Sequence, residues 1–130
     1  MEKQLRRIYV AGSYSAPNVV EVLNNMRRGM RKSVEVLLAG YAPFCPWLDY
    51  QFNLMLQEGE ELILEHFYNY SLAWLEVSDA ILVLPNSEKS KGTQAEIERA
   101  NEIGIPVFHS LEDLQNFTAE VENEQLIVPV

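Results

Sequence analysis

One cysteine, two histidines and a shortage of positive charge mark this sequence, and each closes off a class of protein. Cys45 has no partner for an internal disulfide, and Cys45 with the scattered His66 and His109 makes no metal-ligand spacing. Lysine and arginine total 10 against 19 aspartates and glutamates, a net charge of −9 with a pI near 4.6. That balance excludes a surface built for DNA or RNA polymers. It leaves room for a small anion, because a few backbone N–H groups and hydroxyls bind phosphate locally whatever the global field. No run approaches the ~18 consecutive apolar residues of a membrane helix. The stretch Met1 to Arg7 lacks the apolar centre of a signal peptide, so a cytoplasmic protein off the membrane is expected. Neither G-x-G-x-x-G nor a Walker A sequence occurs, which removes the usual dinucleotide and P-loop sites. Internal repeats, low-complexity tracts and linkers are missing as well.

What is present is a chain of 130 residues, 48% hydrophobic, enough for one domain over 1–130 with a real core. Its organising stretch runs from Ser78 to Phe108. Ala80 to Leu84 is an apolar run closed by Pro85 and Asn86, the pattern of a strand buried on both faces. Turn formers follow (Asn86, Ser87, Ser90, Gly92), and Gly92-Thr93 opens a helix whose Ile97, Ala100 and Ile103 share a face before Gly104 stops it. Ile105 to Phe108 starts another buried run, completing a βαβ unit. Elsewhere, Ile8 to Ala11 reads as the first strand. Asn18 caps a helix running toward Leu37-Leu38, with Gly29 a tolerated interior glycine, and Gly40 ends it. Tyr41 to Pro46 reads as an edge strand because its two prolines remove backbone donors. Trp47 to Phe52 reads as an aromatic loop and Glu60 to Val77 as a long helix. Ser110 opens a last helix, and Leu126 to Val130 forms a final strand. The expected fold is α/β: a single Rossmann-like doubly wound sandwich, a four- or five-stranded mainly parallel sheet with helices on both faces. The first strand and the Ala80 strand are its central neighbours, which sets the loops Gly12–Asn18 and Asn86–Glu96 side by side at the carboxyl edge, where open α/β sheets bind ligands.

Residue chemistry at that edge points to a small-molecule site. Gly12, Ser13 and Ser15 offer a close backbone approach and hydroxyls beside a helix N-terminus, and Ser90, Gly92 and Thr93 offer the same from the second loop. Each serine taken alone also fits a solvated turn. Trp47 and Tyr50 fit either a hydrophobic plug over the sheet's end or a wall for stacking a planar ligand. Glu96, placed in the first turn of its helix, is expected to be held ionised by the helix dipole, as a carboxylate nucleophile for an anomeric carbon must be. Glu98 and His66 read as surface, and Asp79 as a structural helix-to-strand junction.

Four motifs in this order, Ile8 to Ser15, Tyr41 to Pro46, Leu72 to Ala80 and Ser90 to Glu96, resemble the DUF4406 group of the nucleoside 2-deoxyribosyltransferase-like superfamily. The resemblance implies an N-glycosidase or 2-deoxyribosyltransferase acting on a (deoxy)nucleoside or its 5'-monophosphate. It implies Glu96 as the nucleophile at C1', Tyr9 as the phenol orienting it, and Ser13 and Ser90 as phosphate contacts. It implies Trp47 and Tyr50 stacked on the base, no metal or redox cofactor, and a homodimer in which the neighbouring subunit completes the pocket. Two positions depart from the pattern: Ser15 stands where an arginine is expected, and Ser71 where an aspartate protonates the leaving base. Serine is a poor acid, so the reaction is then slow, absent, or served by another acid such as Asp49 or Glu65. Two alternatives follow: a nucleotide-binding module that has lost its chemistry, and a lysine-decarboxylase-like phosphoribohydrolase echoed by Gly92-Thr93-x-x-Glu96 but lacking that group's Pro-Gly-Gly.

Overall fold

A computed structural model describes residues 5–126, with side chains described through residue 122. The elements are β1 (Arg7–Ala11), α1 (Val19–Leu38), β2 (Ala42–Phe44), a 3-10 helix (Pro46–Met55), α2 (Leu64–Glu76), β3 (Ala80–Val83), α3 (Lys91–Ile103), β4 (Val107–Phe108) and α4 (Leu111–Leu126). All four strands are parallel, in the order β2-β1-β3-β4, so β1 and β3 are the central pair. The register sets Tyr9 beside Ile81 and Phe44. The fold is α/β, with helices on both faces of the sheet, consistent with a Rossmann-like sandwich.

Strand side chains alternate between faces, and the core divides accordingly. Ile8, Val10, Ala80 and Leu82 pack with Met26 and Val36 of α1, Trp47, and Leu114 of α4. Tyr9, Ala11, Ile81 and Val83 pack on the opposite face with Leu75 of α2 and Ala100 of α3. This alternation is what turns the Tyr9 phenol toward α2 and α3. Asp79 ties the start of the central pair, its Oδ2 accepting from the backbone N–H groups of Arg6 (2.9 Å) and Arg7 (2.8 Å), the structural junction expected of it.

Several sequence expectations need correction. The stretch Trp47 to Phe52 lies inside the ten-residue 3-10 helix and not in a loop, started by Pro46 at its first turn, where a missing N–H is harmless. The helix expected from Glu60 begins only at Leu64: Gly59 takes φ +87° just upstream, and the His66 Nδ1 accepts from the Ile63 N–H (3.0 Å) to close the new start. Ser90 is the N-cap of α3, accepting from the Thr93 N–H at 3.2 Å, so the helix opens at Lys91 and Glu96 stands in its second turn. Gly29 is required and not merely tolerated. A Cβ there would lie 2.2 Å from the Trp47 ring, which packs flat against the α1 backbone. Of the final strand expected over Leu126 to Val130, Leu126 closes α4 and 127–130 lie outside the described residues. The other boundaries hold closely: Asn18 caps α1 by accepting from the Glu21 N–H (2.9 Å), Gly104 closes α3 at φ +81°, and β2 is an edge strand carrying Pro43.

Candidate functional site

Three chain segments leave the carboxyl end of the sheet and surround one cavity of about 650 Å³. They are the loop 12–18 after β1, the 3-10 helix after β2, and the loop and N-terminal turns of α3 after β3; α2 closes the fourth side. The volume falls within the ~300–1,000 Å³ usual for small-molecule sites. Gly12, Ser13, Ser15, Trp47, Asp49, Tyr50, Ser71, Ser90, Gly92, Thr93 and Glu96 all line it. The sequence expectation therefore gathered its residues around one space.

At its base the Tyr9 hydroxyl donates a hydrogen bond to Glu96 Oε2. Tyr9 is fully buried in the sheet, and Glu96, half-buried on α3, is held by that bond. Burial pushes the Glu96 carboxyl up to about 7, with the Tyr9 hydrogen bond pulling the other way. The helix dipole, expected to hold Glu96 ionised, is not what governs it, because the dipole's effect fades beyond the first turn and Glu96 is in the second. Tyr9 itself is held far above an ordinary phenol, first by burial and then by the negative charge of Glu96, so it remains a proton donor throughout the accessible pH range. Ser71, buried on α2, is a neighbour of the same phenol and favours its ionised form, against the larger effects of burial and Glu96. Ser71, Tyr9 and Glu96 thus meet on the sheet face shared by α2 and α3.

The serines and threonine divide. Ser90 and Thr93 are bonded to each other, the Thr93 Oγ1 donating to Ser90 Oγ at 2.9 Å, and Thr93 is only 1% exposed. Their first role is to cap α3, while the Ser90 hydroxyl keeps its own proton to donate. Ser13 and Ser15 sit on a loop anchored from both sides. The Trp47 Nε1–H donates to the Ser13 carbonyl (3.1 Å), and the Asn25 Nδ2–H to the Tyr14 carbonyl (3.1 Å). Gly12 is tightly packed: a Cβ would come 3.1 Å from Leu84 and 3.2 Å from Trp47, so one of them would have to give by a few tenths of an ångström. Gly92 is not: an added Cβ would meet only Tyr68 at 3.7 Å, an ordinary contact.

Trp47 packs as a plug would. It is 1% exposed and wedged over Gly29, so its ring is taken up by packing at the edge of the cavity. The aromatic surface facing the cavity is supplied by Tyr50 and, from α2, Phe67 and Tyr68. The latter two escaped the sequence reading because an apolar position on an amphipathic helix looks the same whether it meets core or cavity. Lys89 and Lys91 also line the cavity and were not singled out, although flanking Ser90 on the loop already chosen was a usable signal. Tyr14 is a further omission: its hydroxyl donates to Asp49 Oδ1 at 2.9 Å. Asp49 does reach the site, and it is 6% exposed. Glu65 is exposed on the first turn of α2 and is not part of the lining. Among the described residues no cluster of three or more histidines, cysteines, aspartates and glutamates is arranged to hold a metal ion. No described helix is long and apolar enough to cross a membrane.

A family model described as "Domain of unknown function (DUF7768)" matches residues 6–110. That is a different domain from the DUF4406 group, and it overturns the resemblance drawn from the motifs around Tyr9, Ser71 and Glu96. Those motifs are short, and much of their content is what any parallel sheet with polar loops at its carboxyl edge requires. The aspartate expected in place of Ser71 falls with the resemblance, so Ser71 by itself no longer argues against turnover. Comparison with the curated proteins finds no match.

Proposed function

We propose, on the premise that the chain belongs to the DUF7768 family and from the chemistry of its cavity, that the protein cleaves the base–sugar bond of a nucleoside or nucleoside 5'-monophosphate through Glu96. The observation that carries this reading is Glu96 lining a nucleotide-sized cavity with its carboxyl held by the Tyr9 hydroxyl buried behind it. A carboxylate is the suitable nucleophile for an anomeric carbon, because it stabilises oxocarbenium-like charge as that charge develops and traps the sugar as an ester. Desolvation strengthens both effects: the more basic carboxylate is the better nucleophile, and attraction to the developing positive charge is less screened. Tyr9 holds the reacting oxygen's geometry through a bond that a phenol of raised pKa does not give up.

The rest of the lining fits the same substrate class. Tyr50, Phe67 and Tyr68 offer faces for a planar base. Lys89, Lys91, Ser90 and the first turn of α3 supply positive charge and donors for a 5'-phosphate, in a protein whose net charge is −9. Water as acceptor gives hydrolysis and a second base gives transfer. The reading retains a cytoplasmic location, where free nucleotides are abundant. It also retains a homodimer, supported by apolar side chains around the cavity mouth: Leu64 at 62% exposed and Tyr68 at 46% both line the cavity and face outward.

The test is base release from a panel of ribo- and deoxyribonucleosides and their 5'-monophosphates. Release by the wild type supports the reading; no release from any member, or equal release by Glu96→Gln, overturns it. The pH profile adds a second check. Activity is expected to rise with pH through about 7 as Glu96 loses its proton. In Tyr9→Phe the bond that lowers the Glu96 pKa is gone, so the rise moves to higher pH and the loss is greatest near neutrality. An unmoved profile would show that Tyr9 does not bear on the reacting carboxyl.

A further inference from the structure

Asp49 is the second carboxyl in the cavity, and the reading above leaves it without a task. It enters from the 3-10 helix that follows β2, whereas Glu96 enters from the helix that follows β3. With β1 between those strands, the two carboxyls approach the cavity from opposite sides of the Tyr9 strand. Asp49 is 6% exposed, and one of its oxygens, Oδ1, accepts from Tyr14. A buried carboxyl facing a ligand site, with one oxygen held by a phenol, has its other oxygen placed to carry and deliver a proton. Resting on the glycosidic reading, we propose that Asp49 is the general acid that protonates the departing base, with Tyr14 as its positioning residue.

The step balances. Glu96 Oε forms a bond to C1' as the C1'–N bond breaks, the bonding pair goes to the base nitrogen, and the Asp49 proton goes to a ring nitrogen of the base. Asp49 is left as a carboxylate, which then takes a proton from the water or second base that displaces the sugar from Glu96. The surroundings suit a group that must begin protonated. Burial raises the Asp49 pKa, and the Tyr14 hydrogen bond lowers it. The other titratable groups that feel its charge are the phenol of Tyr9, the thiol of Cys45 and the phenol of Tyr14, none of them cationic at neutral pH. The lysines of the opposite loop line the same cavity near Ser90.

The experiment compares leaving groups. Asp49→Asn keeps the size of the side chain and an oxygen for Tyr14, so the site stays packed. On an ordinary purine or pyrimidine substrate it is expected to lose ~10²–10⁴-fold in kcat, the usual worth of a general acid. On the nucleoside of a 7-methylated purine, whose base already carries positive charge and leaves without a proton, it is expected to keep nearly full activity. Glu96→Gln loses both, and the activity that Asp49→Asn keeps on the 7-methylated substrate shows that variant to be folded. Tyr14→Phe removes the bond that lowers the Asp49 pKa, so the part of the pH profile set by Asp49 should move to higher pH with ordinary substrates only. Equal losses by Asp49→Asn on both substrates, or no loss on either, would overturn the assignment while the glycosidic reading stands. Absence of base release by the wild type overturns both.

Discussion

Replacing Glu96 with glutamine is expected to remove base release, by ~10⁴-fold or more as for other lost nucleophiles, and at the same time to make the protein more stable at pH 8. The stability gain follows from the raised pKa. In the unfolded chain a glutamate loses its proton near 4.5, while in the folded protein Glu96 holds it to about 7. Between those values the native state binds the extra proton, so stability falls as pH rises through that window and stays lower above it. The difference amounts to about 3 kcal/mol, lost in full above pH 7 and absent below 4.5. Glutamine carries no charge to desolvate and still offers an oxygen to Tyr9. Its melting temperature should therefore exceed that of wild type by roughly 10 °C at pH 8 and match it near pH 4.5. Thermal melts at the two pH values check this without any substrate. A Glu96→Gln protein no more stable than wild type at pH 8 would mean that the buried carboxylate is compensated by something other than Tyr9.

The second large effect lies at Trp47. Truncation to alanine is expected to lower stability by ~3–5 kcal/mol, the range for a large buried aromatic, because the ring is 1% exposed and fills the space between Gly29 and Gly12. It also frees the Ser13 carbonyl from the indole N–H and so loosens the loop that borders the cavity. Gly29→Ala is the mirror experiment. A methyl 2.2 Å from the indole must push Trp47 out of place, at a cost of ~1–3 kcal/mol for overpacking that outweighs alanine's helix preference. Denaturant titrations of both variants decide between plug and stacking wall. A stable Trp47→Ala protein with weakened ligand binding would restore the stacking role.

The contrast between Trp47 and Glu96 shows what kind of information a sequence carries. Trp47 could be named but not assigned, since plug and wall differ only in what lies opposite the ring, here a glycine 18 positions earlier in the chain. Glu96 could be found because strand, turn formers and helix stop are local signals that place it at the carboxyl edge. Its ionisation could not be judged, because a one- to two-residue difference in helix start moved it out of the first turn, and burial by distant elements then set its proton affinity. Short motifs misled at the family level for a related reason: strand, serine loop and Gly-Thr-x-x-Glu meet needs common to many parallel sheets.

The amino-acid order by itself determined the α/β class, the central β1–β3 pair, the caps at Asn18, Ser110 and Gly104, and the two loops that border the cavity. These rest on periodicity, turn chemistry and capping, which act over a few residues. The Tyr9–Glu96 pairing across 87 positions was expected from a family resemblance that did not hold, and its geometry came from the tertiary structure, which alone decided that Tyr14 bonds Asp49 across 35. The same holds for Gly29, which exists for Trp47. Those pairings depend on which side chains two crossing elements bring within bonding distance, and on how much water the packing removes from around them.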